Sequence, residues 1–188
     1  YSQQESAPAL TVTVDQNIYD LFEFKTDGKK LVIRLKDRDK KPVRLRPTEF
    51  TITTNSASLK KVDLAGIDVF NLNGKFASNE KVKFSMAGNT TLELRDTVTV
   101  DQMEVCSAGK GTLNADALYA RTFKGEIAGQ ATFNLKGVGE KADFEIAGNG
   151  KVRALDYELS TLSCEIAGKG TIETYAKDRI NAQIAGMG

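Results

Sequence analysis

Three glutamates recur at nearly constant spacing and have the clearest potential for chemistry. Glu126, Glu145 and Glu165 each stand three positions before a glycine that follows an alanine. If the chain stacks these positions, neighbouring carboxylates could have raised pKa values and share a cation or proton, or act on a glycosidic bond. The alternative is an exposed column whose charge is relieved by lysines nearby. We favour this alternative, because no asymmetry between an acid and a base is visible.

Residues 34–46 are the second charged feature, with seven basic side chains and two acidic ones. A basic patch could bind phosphate, sulfated glycan or lipid headgroups. A solvated hairpin or loop would carry the same charges and would discourage edge pairing, and we favour this interpretation. The basic side chains are Arg34, Lys36, Arg38, Lys40, Lys41, Arg44 and Arg46.

The composition excludes much other chemistry. The chain has no histidine, so triads and metal sites that depend on histidine are excluded. Its 26 basic and 25 acidic residues nearly balance, which gives no argument for nucleic acid. We therefore expect no cofactor, no metal and no catalytic residue.

The glutamates belong to a repeat marked by the dipeptide Ala-Gly, which occurs seven times at intervals of about 20 residues. Self-similarity at this period is typical of a solenoid. Before each glycine, apolar and polar residues alternate, as in Val82, Phe84 and Met86 against Lys83 and Ser85. This period of two predicts a strand with one buried face. The marks are Gly66, Gly88, Gly109, Gly129, Gly148, Gly168 and Gly186.

A second strand follows each mark, and its outward position three after the glycine is usually threonine. This threonine column could meet a glycan, a peptide or a second copy of the chain. The simpler explanation, which we favour for any single residue, is that threonine suits strands. The column comprises Thr91, Thr112, Thr132 and Thr171.

Two strands bent at the Ala-Gly corner, with residues left for a third, predict an all-β fold. We expect a right-handed parallel β-helix, or β-solenoid, with about 20 residues per coil and essentially no helix. Glycine at the corner indicates a positive φ or close approach between coils.

The expected domain organisation is a flexible segment over 1–9 followed by one β-solenoid domain over 10–188. Residues 10–60 would form irregular first coils and residues 61–188 the regular Ala-Gly coils, cut short at the C-terminus. The polar start at Tyr1, without methionine, is interpreted as a mature chain from which a signal segment has been removed.

The two cysteines fall on opposite sides of the predicted strands. Cys164 occupies an inward column, whereas Cys106 stands three positions before Gly109, in an outward one. They are three marked coils apart, about 14 Å along the stack, which is too far for a disulfide. We predict two free thiols.

Several repeat units carry a family resemblance. FSMAGN (84–89), EIAGQ (126–130), FEIAGNG (144–150) and CEIAGKGTI (164–172) resemble the coils of the putative auto-transporter adhesin head GIN domain family. FEFKTDGKKLVIRL (22–35) is similar to the strand pair that precedes those coils. The resemblance covers about residues 10–188. It implies a β-helical domain of exported, Bacteroidetes-type proteins, commonly anchored as lipoproteins, and it supplies no catalytic residues.

These observations together predict a non-catalytic, extracytoplasmic β-solenoid, in the periplasm or on the outer-membrane surface of a bacterium, that acts as an adhesin or binding module. The alternatives are a β-helix enzyme acting on acidic polysaccharide and a structural or assembly subunit. The expected partners are a glycan, a cell-surface or matrix protein, or further copies of the chain. We do not expect the chain to bind nucleic acid. We expect it to contact a membrane only through an N-terminal lipid anchor.

Overall fold

Nearly all of the chain is extended backbone in the structure, a computed structural model that describes residues 1–36 and 49–187. Within these residues helix is confined to α1 (Gln16–Tyr19), about 2% of the chain. This helix is far too short to cross a membrane. The strands are β1 (Ser2–Gln3), β2 (Leu10–Val14), β3 (Phe22–Asp27), β4 (Lys30–Leu35), β5 (Phe50–Ser56), β6 (Lys61–Leu72), β7 (Phe76–Ile127), β8 (Gln130–Ile146) and β9 (Asn149–Met187).

Strands β6 to β9 wind into a β-solenoid of about five turns, with parallel pairing between successive coils of about 20 residues. Equivalent positions of the repeat pair with each other, as Gly66 does with Gly88 and Ile127 with Ile146. The register changes between Ala115 and Leu118, and again one coil later. The coils therefore absorb their differences in length at one corner and keep the Ala-Gly corner in register. The predicted fold class is confirmed.

The Ala-Gly corner requires glycine for both of the reasons expected from the sequence. Gly129 has a φ of 155°, a region that residues with a side chain rarely enter. A Cβ on Gly129 would also lie 2.6 Å from the carbonyl oxygen of Gly109 in the preceding coil. The same relation is repeated from Gly88 to Gly186, so the corner is a ladder of glycines in backbone contact.

The solenoid core is filled by the inward columns of successive coils. Phe123, Phe133 and Phe144 are completely buried, and the rings of Phe123 and Phe144 lie 5.6 Å apart. Gly125 shares an inward column with Phe144, and a Cβ there would press against all three phenylalanines. A large side chain in one coil is thus accommodated by glycine in another.

The first residues of the chain differ from the flexible segment expected over 1–9. Tyr1 is buried, its amino group donates to the carbonyl of Asn71 at 2.8 Å, and its carbonyl accepts from Asn73. Strand β1 pairs in parallel with the end of β5. Residues 1–7 belong to the same compact unit as the chain from Asn55 onward, because these backbone groups satisfy each other there.

Residues 8–54 form a second compact unit with antiparallel pairing, which corrects the expectation of irregular coils over 10–60. Strand β2 pairs antiparallel with the first residues of β5, and β3 pairs antiparallel with β4 across the turn at Gly28. The ring of Phe22 lies 4.6 Å from that of Phe50 and 6.4 Å from that of Phe24. The unit therefore contains two antiparallel strand pairs, of which β3 and β4 form a hairpin, and an aromatic cluster.

Candidate functional site

An open groove of about 420 Å³ lies beside the Ala-Gly corner and runs across several coils. One wall carries the residues directly after the corner glycines, and the other carries the residues two positions further on. Across the coils, Lys110 pairs with Gln130 and Gln130 with Asn149, while Thr112 pairs with Thr132 and Thr132 with Lys151. We call this feature the corner groove. It is lined by Asn89, Lys110, Gly111, Thr112, Gln130, Ala131, Thr132, Asn149 and Lys151.

The floor of the corner groove is low because the solenoid core leaves no room for larger residues there. A Cβ on Gly111 would collide with the Ser107 hydroxyl inside the coil and would lie 3.1 Å from the end of Met86. Ala131 occupies the equivalent position of the next coil and is buried. The position between the walls therefore points inward and is small, so that backbone forms the floor and the polar side chains rise on both sides.

The threonine column is only partly a feature of this groove. Thr112 and Thr132 line it, whereas Thr91 and Thr171 lie in the same column on earlier and later coils. Lys151 interrupts the column, and its ammonium group lies 3.3 Å from Glu173. A binding role for the four threonines stays a prediction. The wall residues Asn89, Lys110, Gln130 and Asn149 were missed from the sequence.

A ladder of hydrogen-bonded side chains lies outward, two positions beyond the threonine column. Asn134 donates to Asn114 at 2.7 Å, and Asn114 donates to Glu93 at 2.9 Å. Arg153 donates to Asn134 at 3.4 Å. These polar groups satisfy one another along the stack, which holds the face beside the corner groove in a fixed arrangement.

The glutamate column is stacked as predicted, and one lysine compensates part of its charge. Glu126 pairs with Glu145, and Glu145 pairs with Glu165. The ammonium of Lys124 lies 2.8 Å from Glu126 and 3.0 Å from Glu145. The hydrogen bond from Lys124 lowers the pKa of Glu126. A carboxyl group that acts as a general acid or shares a proton needs a raised pKa. The expectation of a raised pKa is therefore wrong for Glu126.

Glu126 also belongs to a cluster that the sequence did not indicate. Glu104 is nearly buried and forms ion pairs with Lys81 and Lys83. The Cys106 sulfur lies 3.4 Å from a carboxylate oxygen of Glu104 and 3.3 Å from one of Glu126, so the single thiol proton can be donated to either carboxylate. The two lysines lower the pKa of Glu104 to about 2. Burial and the neighbouring carboxylates raise the pKa of Cys106 to about 12.

The donor atoms of Glu104, Cys106 and Glu126 lie within 4.8 Å of one another, so among the described residues these three are placed to ligate a metal ion. Both carboxylates already accept hydrogen bonds from lysine ammonium groups, and the thiol keeps its proton at neutral pH. A metal would have to displace the lysines and the proton together. The arrangement is that of an ion-pair network. Cys106 and the buried Cys164 are both free thiols, as predicted.

Most of the basic segment lies outside the described residues, namely Arg38, Lys40, Lys41, Arg44 and Arg46. Arg34 and Lys36 are described. The guanidinium of Arg34 lies 2.6 Å from Glu23, which also pairs with Lys25. Arg34 therefore has an acidic partner within its own hairpin. The basic patch stays a prediction.

Comparison with protein families finds one match along the chain. Residues 1–188 match the family described as "Putative auto-transporter adhesin, head GIN domain". A search of curated proteins found no significant match.

Solved structures with the same architecture include proteins from two Parabacteroides species. A protein described as a putative lipid binding protein from Parabacteroides distasonis is 28% identical, with a TM-score of 0.93 over 100% of this chain and 85% of that one. A putative adhesin from Parabacteroides merdae is 27% identical, with a TM-score of 0.84 over 99% and 76%. A putative adhesin from P. distasonis is 22% identical, with a TM-score of 0.83 over 100% and 85%, and shows the shared fold alone.

Proposed function

The chain belongs to the putative auto-transporter adhesin, head GIN domain family, and on this premise we propose that it is a non-catalytic, extracytoplasmic binding module whose ligand lies in the corner groove. The family and the structural neighbours are named as adhesins or as a lipid binding protein, and none is named as an enzyme. Those names support binding at the cell exterior. The ligand has to be argued from the groove itself.

The polar lining of the corner groove carries this proposal. Gln130 and Asn149 present a carboxamide on adjacent coils of one wall, and Thr112 and Thr132 present a hydroxyl on the other. Each amide offers both donors and acceptors, and each hydroxyl does the same. The groups repeat at the strand spacing of about 4.8 Å. Such a row suits an extended chain of hydroxylated units, which is the chemistry of a linear polysaccharide.

A rigid scaffold supports affinity in so shallow a groove. The wall residues extend from paired strands, and the adjacent corner is the ladder of glycines in backbone contact. Binding would therefore order few side chains beyond those of the walls, which keeps the entropic cost low.

The alternative that the chain is an enzyme has weaker support from the glutamate column. Of Glu126, Glu145 and Glu165, the three carboxylates considered for catalysis, the first two share one lysine. A general acid needs a proton near neutral pH, and the lowered pKa of Glu126 opposes this. The lipid-binding description of one neighbour also finds little support in the described coils, because their interior is filled by side chains such as Phe123, Phe133 and Phe144.

The proposal is tested with immobilised linear polysaccharides, both neutral and acidic, and the purified chain. Wild-type protein should bind at least one of them, and the double variant Gln130→Ala with Asn149→Ala should bind it about tenfold less, since hydrogen bonds from both coils are lost. Asn181→Ala with Gln183→Ala is the matched control, because it removes the same two side-chain types from exposed positions outside the groove. Folded protein that binds no polysaccharide, or equal binding by the two double variants, would contradict the proposal.

A further inference from the structure

Every charged side chain that lines the corner groove is a lysine. Among the described lining residues these are Lys110 and Lys151, and the remainder are amides, threonines, glycine and alanine. The chain as a whole has a net charge of only +1. The groove is therefore a local concentration of positive charge that the overall composition does not indicate.

Lys110 and Lys151 differ in their ion-pair partners from the lysines beside Glu104 and Glu126. Lys83 and Lys124 are occupied by carboxylates at the protein surface. Within the described residues no carboxylate lies within ion-pair distance of Lys110. Lys151 reaches Glu173 at 3.3 Å, at the end of the groove. Lys110 is thus available to an external anion, and Lys151 can exchange one exposed partner for another at little cost.

The spacing of the lysines limits the form of that anion. Lys110 pairs in register with Gln130, and Gln130 with Asn149, so Lys110 and Lys151 are two coils apart and on opposite walls. Two strand spacings amount to roughly 10 Å along the axis. An extended disaccharide unit is of comparable length. A chain with one negative charge on every second sugar would present charges at this interval.

Resting on the proposed function, we infer that the corner groove binds an anionic linear polysaccharide with its carboxylate or sulfate groups facing Lys110 and Lys151. The carboxamides of Gln130 and Asn149, which lie between the lysines, meet the sugar hydroxyls. Lysine suits this task because its ammonium group accepts anions from a range of directions, whereas the planar fork of arginine demands bidentate geometry.

Hyaluronan, which carries one carboxylate per disaccharide and no sulfate, is the first probe, and carboxyl-reduced hyaluronan is its neutral counterpart. Carboxyl-reduced chondroitin sulfate supplies sulfate alone. Wild-type protein should bind at least one charged polymer about tenfold more tightly than the neutral one, because two exposed ion pairs are gained. The charged polymer that binds best identifies the anionic group.

The matched variants separate a specific site from general charge. Lys110→Gln with Lys151→Gln should weaken binding of the charged polymer about tenfold and so remove the preference for it over the neutral polymer. Lys136→Gln with Lys141→Gln removes the same charge from exposed positions outside the groove and should keep the preference. An equal loss in both double variants would overturn the inference.

Failure of the inference can be told apart from failure of the proposed function. If charged and neutral polymers bind alike, and both depend on Gln130 and Asn149, the groove binds polysaccharide without selecting charge and the inference is wrong. If folded protein binds none of the polymers, the proposed function fails and the inference fails with it.

Discussion

Replacing Gly129 by alanine should destabilise the solenoid strongly, although the change adds only a methyl group. The φ of Gly129 is 155°, which alanine adopts only under strain. The added Cβ would lie 2.6 Å from the oxygen and 2.8 Å from the nitrogen of Gly109. Both obstacles are backbone atoms of the neighbouring coil, so no side chain can rotate away. The coils would have to separate locally or the corner would have to change its shape.

The expected magnitude follows from these two contributions. Backbone strain of this type costs about 1–3 kcal/mol, and forcing a group into a packed site costs about 1–3 kcal/mol more. A total near 4 kcal/mol corresponds to a fall in Tm of about 8–16 °C for a chain of this size. Gly74 provides the matched control, because its φ is 77° and a Cβ there would meet nothing within 4 Å. Gly74→Ala should therefore show the strain alone, about 1–2 kcal/mol.

Thermal and urea unfolding followed by circular dichroism would measure both variants against the wild type. The urea midpoint of Gly129→Ala should fall further than that of Gly74→Ala, with the slope unchanged if unfolding stays cooperative. Equal losses in the two variants would show that contact between the corner glycines does not limit stability. The ladder would then reflect backbone conformation alone.

Three further predictions concern the core and the Glu104 cluster. Because the pKa of Glu104 falls from 4.5 to about 2 on folding, its ionised form stabilises the protein above about pH 4.5, and this contribution is lost as the pH falls toward 2. Glu104→Gln should therefore flatten the acid limb of stability between these values and remove about 1–2 kcal/mol at neutral pH, because the exposed lysine partners are screened by solvent; an unchanged acid limb in urea titrations would refute the assignment. With Cys164 replaced by alanine, Cys106 should react with iodoacetamide at pH 8 about 30-fold more slowly than an unperturbed thiol, because its pKa is about 12 and higher nucleophilicity offsets only part of the lost thiolate. Glu126→Gln should speed this reaction, and mass spectrometry that finds no change would argue against the thiol–carboxylate contact. Phe133→Ala should cost about 3–5 kcal/mol of unfolding free energy, since the ring is completely buried among other phenylalanines; a urea midpoint close to that of the wild type would mean that the core collapses around the vacancy.

The coils could be predicted from the sequence because their determinants are local and repeated. Each Ala-Gly mark sets the phase of the period-two alternation, so one register identifies the inward and outward columns of every coil. The pairing of Gly66 with Gly88 and of Ile146 with Ile166 follows directly. The positive φ of the corner glycine and its close contact with the neighbouring coil could also be predicted. A glycine repeated at one position of every coil indicates one or both of these features.

The antiparallel unit was missed because alternation alone does not reveal strand direction. A half-buried strand has the same period whether its neighbour runs parallel or antiparallel. The available signal was the turn at Thr26, Asp27 and Gly28, because two strands separated by so few residues can pair only as a hairpin. The seven residues at the start gave no such signal, since the burial of Tyr1 depends on Asn71 and Asn73, far along the chain.

The candidate sites were only partly predictable because they combine several columns. The stacking of Glu126, Glu145 and Glu165 lies within one column and was found. Cys106 stands in the same column one coil earlier, so the alignment of repeats already places it beside Glu126. Its contact with Glu104 joins two columns of one coil, and the alignment does not show that the side chains meet. Hydrogen bonds from lysines set the ionisation of Glu104 and Glu126, and burial sets that of Cys106. Both depend on side-chain packing that the pattern does not contain.

The corner groove shows how a packing requirement can leave a surface free for recognition. The floor positions, such as Gly111 and Ala131, must be small because inward residues like Met86 and Ser107 fill the space beneath them. The wall residues meet no such demand, since their side chains project into solvent and the strands keep their register without them. Their chemistry is therefore the part of the groove that can vary without loss of the fold. A sheet face that served only as scaffold would gain from mixing opposite charges across neighbouring strands, as the Glu104 cluster does. Lys151 follows this pattern through its ion pair with Glu173. Lys110 has no carboxylate within ion-pair distance among the described residues, so its charge is better explained by the proposed anionic ligand than by the stability of the coils.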